Sequence, residues 1–112
     1  LYHYRPTEEF ERKLKKLARS DSGAHARVLK AIERLLQVPD ESDGKMHGSH
    51  RGQLKKYVGR SGYRLIYAWC STCRKVNKHL EGSCPFCEEI PDDSVVFYNL
   101  YRKTDAHNRA HP

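Results

Sequence analysis

The sequence predicts an α+β domain in which a two-helix hairpin covers one face of a mainly antiparallel sheet of about four strands. Three observations carry that expectation. Two segments in the first third of the chain place apolar residues at helical spacing. Two segments in the middle, rich in β-branched and aromatic residues, flank a glycine-bearing turn. A further β-prone run, Ser94 to Arg102, closes the patterned part of the chain. With 112 residues there is room for one domain, 1–112, around one modest core.

Taken in order, Leu1 to Arg5 alternates weakly and suits a short edge strand ended by Pro6. Thr7 follows as an N-cap, with Glu8 and Glu9 in the positive first turn of a helix and Lys15, Lys16 and Arg19 near its negative end. Phe10, Leu14, Leu17 and Ala18 form a single apolar stripe, so the first helix is expected over about Thr7 to Arg19. Ser20-Asp21-Ser22-Gly23 is a short link rich in capping side chains. Val28, Ala31, Ile32, Leu35 and Leu36 then repeat the helical spacing, which predicts a second helix from about Ser22 to Gln37 stopped by Pro39. So short a link makes the helices antiparallel, with both stripes turned to a common partner, the sheet. Asp40 to Gly52 is polar and unpatterned and is expected to be a loop. Its His47 and His50 have no third ligand nearby and read as solvated loop histidines or RNA contacts rather than a metal site.

Gln53 to Trp69 is the clearest hairpin signal. Leu54 to Val58 and Tyr63 to Trp69 are the strands, and Gly59-Arg60-Ser61-Gly62 is the turn, with glycines available for positive φ. Alternation puts Lys55 and Tyr57 on one face of the first strand. On the second, Tyr63, Leu65 and Tyr67 share one face, and Arg64, Ile66 and Ala68 share the other. With both helices on one side, the opposite face of the sheet is expected to be left for function. Lys103 to Pro112 is a polar tail, and no internal repeat or low-complexity segment interrupts the chain.

Lys plus Arg outnumber Asp plus Glu by 21 to 14, and the excess is concentrated. Between Asp43 and Glu81 there is no acidic residue but there are nine basic ones: Lys45, Arg51, Lys55, Lys56, Arg60, Arg64, Arg74, Lys75 and Lys78. A block of one sign laid over strands, rather than over a tail, points to a polyanion or an acidic protein partner, with RNA or DNA first. No apolar run is long enough to cross a bilayer and no charged-then-apolar leader opens the chain, so the expectation is a soluble, cytoplasmic protein without a membrane partner.

Cys70-Ser71-Thr72-Cys73 and Cys84-Pro85-Phe86-Cys87 form two C-x2-C pairs with ten residues between them. Each pair makes a tight turn whose thiolates and backbone amides face one tetrahedral ion, the pattern of a zinc ribbon. Zn²⁺ is the first expectation; iron in the same ligand set and paired disulfides or redox thiols are the alternatives. With all four positions filled by Cys70, Cys73, Cys84 and Cys87 the ion would be structural, clamping an insertion at 70–93 between two neighbouring strands. Four thiolates around Zn²⁺ carry excess negative charge, which Arg74, Lys75 and Lys78 are placed to balance.

With that insertion set aside, the chain resembles the RelE/ParE superfamily of toxins from toxin–antitoxin systems. The resemblance lies in T-E-E-F-E-R-K-L-K-K-L, in V-L-K-A-I-E-R-L-L ending at Pro39, and in G-K-M-H-G ahead of the hairpin. Its most specific part is Y-V-G-R-S-G-Y-R-L-I-Y followed by V-V-F-Y-N-L-Y-R-K. The superfamily shares the fold expected above but not one activity: RelE-like members cleave mRNA in the ribosomal A site, and ParE-like members poison DNA gyrase. For a RelE-like nuclease the resemblance implies metal-independent attack of a ribose 2′-OH on the adjacent phosphate, mRNA and the ribosome as partners, and an acidic antitoxin. Carried over residue by residue, Arg64 matches the arginine of the Y-R-L-I-Y strand, Arg102 the arginine closing the last strand, and Lys55 a basic residue of the first hairpin strand. Tyr57 stands where a second basic residue is expected. His107 is the implied acid or base, its ordinary pKa near neutrality suiting that work. Arg51, Lys56, Tyr57, Arg60 and Lys103 are the accompanying RNA-contact candidates, with Tyr57 the one placed to stack on a base. The competing expectation is a gyrase inhibitor or a nucleic-acid-binding or ribosome-binding protein of the same fold that cleaves nothing.

Overall fold

A computed structural model describes residues 1–45, 53–59, 62–70 and 93–102. Strand β1 (His3–Pro6) leads into helix α1 (Glu8–Ser20) and helix α2 (Ser22–Gln37). The strands β2 (Gly44–Lys45), β3 (Leu54–Val58), β4 (Tyr63–Trp69) and β5 (Ser94–Arg102) follow. They form one five-stranded sheet in the order β1-β5-β4-β3-β2, antiparallel except where β1 runs parallel to β5. The α+β expectation is met with one strand added. β2 lies in the stretch expected to be loop, because its two residues pair with Leu54 and Lys55 without any hydrophobic pattern of their own.

The helix hairpin is built from its caps. Thr7 Oγ1 accepts from the Phe10 amide at 3.2 Å and donates to the Tyr98 carbonyl at 3.2 Å, so the cap of α1 is also tied to β5. Asp21 serves two helices at once: its amide donates to the Leu17 carbonyl at 2.8 Å, and its carboxylate accepts from the Ala24 amide at 3.0 Å. One residue between helices suffices for that reason. Phe10 and Leu17 of α1 and Ala24, Val28, Ile32 and Leu35 of α2 then meet Leu54, Val58, Leu65, Tyr67, Val95, Phe97 and Leu100 of the sheet in one core. Phe97 lies at its centre, its ring centroid 5.3 Å from Phe10, 5.4 Å from Tyr4 and 5.9 Å from Tyr67. The Tyr67 hydroxyl donates to the Pro39 carbonyl at 2.7 Å and ties the exit of α2 to the sheet. Burial, with Asp43, Asp40 and Glu41 adding to it, pushes that phenol well above its ordinary value.

The face of the sheet turned away from the helices divides in two. Around the outer part of β4 and β5, Ile66, Ala68, Val96 and Cys70 are buried, with Tyr98 against Cys70 and Val96. Polar, accessible residues of this face lie nearer the β3–β4 turn and, on β1, at His3 and Arg5. Between Ile66 and Tyr67 the β4–β5 register slips: Ile66 pairs with Asn99 but Tyr67 pairs with Phe97, leaving Tyr98 as the extra residue of a bulge. No described helix is long and apolar enough to cross a membrane.

Candidate nucleic-acid interface

The β3–β4 hairpin turns where Gly59 and Gly62 adopt φ of 45° and 79°, conformations that side-chain-bearing residues avoid. The register it sets pairs Tyr57 with Arg64 and Lys55 with Ile66, so Lys55, Tyr57 and Arg64 emerge together on the face away from the helices. The Arg64 guanidinium lies 4.8 Å from the Tyr57 ring centroid and the Lys55 ammonium 5.9 Å from it. Tyr57 is nevertheless 44% exposed, a large aromatic surface with two cations close to it. Among the described residues neither Lys55 nor Arg64 has a carboxylate partner, whereas Lys13, Arg34 and Lys56 are paired with Glu9, Glu41 and Asp43.

Two residues that the sequence reading passed over shape this patch. Asp43 accepts from the Tyr57 amide at 2.7 Å and donates its own amide to the Lys55 carbonyl at 2.8 Å. It braces β3 from its edge and takes Lys56, 3.8 Å away, as its ion-pair partner. Gly44, opposite Lys55 on β2, leaves the space in which the lysine lies: a Cβ at Gly44 would fall 2.7 Å from Lys55 Cε. The signal for both was the short β2 pairing, which carries no pattern in sequence.

Arg102 is not part of the same cluster. Plain alternation along β5 would place it on the side of Val96, which pairs with Ala68 on the Arg64 face. The bulge at Tyr98 moves every later residue to the other face. Arg102 therefore pairs with Tyr63, its guanidinium 6.0 Å from that ring, and lies on the helix side. Lys56 also belongs to the helix side, sharing alternation with buried Leu54 and Val58. Of the eight remaining expected site residues, seven lie outside the described residues: Arg51, Arg60, Lys103 and His107, with the ligand candidates Cys73, Cys84 and Cys87. Cys70 stands at the end of β4, buried.

Two shallow recesses open at the hairpin end of the sheet. One, of about 350 Å³, is lined by Tyr57, Gly59, Gly62, Tyr63 and Arg64. The other, of about 250 Å³, lies beside α1 and is lined by Lys13, Lys16, Ser20, Tyr63, Leu100 and Tyr101 among others. Lys13 at its edge donates to the Asn99 carboxamide oxygen, so the bulge also supplies an anchor for α1. In chemical terms, the first recess offers an aromatic face for a base beside two cations for a phosphate. Among the described residues no imidazole or carboxylate joins it as a general acid or base. Compared with family models, with curated proteins and with solved structures, the chain finds no match in any of the three.

Proposed function

We propose that the protein acts on RNA as a RelE-like, ribosome-dependent mRNA endoribonuclease, the toxin of a toxin–antitoxin system. The observation that carries this reading is the cluster of Lys55, Tyr57 and Arg64, cations without described counter-charges around an exposed aromatic ring. In the reaction a ribose 2′-OH gives its proton to a base and its oxygen bonds to the neighbouring phosphorus. The 5′-oxygen then leaves with a proton, and a cyclic phosphate remains. Arg64 and Lys55 would hold the negative charge that builds on the phosphoryl oxygens, and Tyr57 would seat the base beside the cut. His107 is the proposed proton carrier. An acidic antitoxin covering this face would silence it by charge neutralisation alone.

Cys70, Cys73, Cys84 and Cys87 are proposed to hold a structural Zn²⁺. The buried Ser94 hydroxyl, without a hydrogen-bond partner among the described residues, fits such a site. Continuing the Trp69–Val95 pairing by one residue brings Ser94 opposite Cys70, where it would donate to a metal-bound thiolate.

The test is a translation reaction with mapped message ends, comparing the wild type with Arg64→Ala. New 5′ ends within the message, lost in the variant, are expected. Arrest of translation with intact message would instead support the second reading, binding without cleavage. One observation favours that reading: Arg102 lies on the opposite face from Arg64, so the two arginines do not converge on one phosphate.

A further inference from the structure

We propose that the RNA site extends beyond the Lys55, Tyr57 and Arg64 face: a single strand passes over the hairpin end of the sheet at Tyr63 into the recess beside α1, where Lys16 and Arg102 take its next phosphates. This extension rests on the RNA reading above. Tyr63 lines both recesses, so they are two sides of one rim rather than separate hollows. The ladder supplies cations on both sides of it in consecutive rungs, Arg64 opposite Tyr101 on one face and Arg102 opposite Tyr63 on the other. The bulge that removes Arg102 from the Arg64 cluster thereby puts its guanidinium 6.0 Å from the ring of Tyr63, a residue that lines the second recess.

The second recess has the composition that single-stranded nucleic acid requires, cations at the rim and aromatic and apolar surface within. Lys13 is already engaged by Glu9 and Asn99. Lys16 and Arg102 are exposed and, among the described residues, have no carboxylate partner. An ordinary explanation for Lys16 is complementing the negative end of α1. Arg19 in the last turn already does so, and Lys16 lies a turn earlier, where it lines the second recess together with Tyr63. The aromatic lining favours bases over an acidic peptide, which would need donors rather than ring faces.

The experiment measures fluorescence anisotropy of labelled oligouridylates of about four and about ten nucleotides, lengths spanning one compact site and an extended one. The full chain is compared with Arg64→Ala and with the double variant Lys16→Ala, Arg102→Ala. The wild type is expected to bind the longer RNA more tightly and with a steeper salt dependence, by about 0.7 in log–log slope for each added phosphate contact. Arg64→Ala should weaken both lengths together. The double variant should erase most of the gain from length and the two contacts' worth of slope, while its thermal melt stays that of the wild type. A wild type that binds neither RNA overturns the extension, while the mapped message ends of the translation reaction decide the RNA reading separately. A wild type that binds both, weakened by Arg64→Ala but keeping its full length gain in the double variant, overturns the extension alone. The same result with loss of polyglutamate binding in the double variant also overturns it and gives the recess to an acidic protein segment.

Discussion

The two faces of the sheet at its hairpin end use the same residue types to opposite purposes. On the helix side, polar groups are answered: the Tyr67 hydroxyl by Pro39, Lys13 by Glu9 and Asn99, Lys56 by Asp43. A few ångströms away, on the other face, Lys55 and Arg64 crowd one tyrosine with no described anion to relieve them. Partnered charges near a core keep desolvation costs down and hold elements together. Like charges gathered near an aromatic ring without described counter-charges are what the proposed RNA-binding surface would require. A tyrosine therefore means different things on the two faces: Tyr67 is a structural bolt, whereas Tyr57 is exposed and is the proposed platform for a base.

That contrast is broken most severely from the helix side. Phe97→Ala should destabilise the fold by about 3–5 kcal/mol, because a fully buried ring at the centre of the core leaves a cavity that its neighbours cannot close. Urea denaturation would measure it, and a loss under about 1 kcal/mol would mean that Phe97 is not the centre of the core. Arg64→Ala should do the reverse. RNA affinity should fall by about 10- to 100-fold, the value of a charged hydrogen bond to phosphate, with the unfolding midpoint hardly moved. An equal shift in stability would show that Arg64 is a structural residue of the sheet.

Tyr67 gives a smaller effect with a pH signature. Removing its hydroxyl in Tyr67→Phe strands the buried Pro39 carbonyl and should cost about 1–3 kcal/mol near neutral pH. Its folded-state pKa is raised above the ordinary phenol value of 10.0, so the folded state favours the protonated form. The stability this contributes is fully present below pH 10.0 and is lost as pH climbs from there toward the raised value. Denaturation from pH 8 to 11 should show the wild type losing stability at the alkaline end and Tyr67→Phe losing less. Parallel curves would mean that the phenol ionises as freely folded as unfolded.

Much of this was legible from residues alone. Helical stripes, the Thr7 and Asp21 caps and the glycine turn are local signals, and local signals gave the elements and the pairing of Lys55 with Tyr57. What escaped was set by pairing rather than by propensity. β2 exists because β3 offers it an edge, not because Gly44 and Lys45 favour extended backbone. The side taken by Arg102 was hidden for a sharper reason. Alternation is a period-two rule, and one extra residue at Tyr98 reverses its prediction for everything beyond. Nothing in V-V-F-Y-N-L-Y-R announces a bulge, so a site built by matching Arg64 with Arg102 joins two residues that the sheet separates.

The finest test of the contrast between faces uses Gly44, which touches the site only through space it leaves empty. In Gly44→Ala the new methyl would lie 2.7 Å from Lys55 Cε, so the end of the lysine must leave its present place 5.9 Å from the Tyr57 ring centroid. The clash is with the far end of a flexible chain, so the fold has little to lose. Replacing glycine also restricts the unfolded chain, which favours folding by about 0.4–1 kcal/mol where the backbone is compatible. Stability is therefore expected to hold or rise slightly while RNA affinity falls a few-fold, a separation of the two properties that a substitution of Lys55 itself cannot make, since that also removes a charge. If affinity is unchanged when the lysine is displaced, its position over the ring is incidental and only its charge matters. A stability loss would place the strain in the β2–β3 pairing instead.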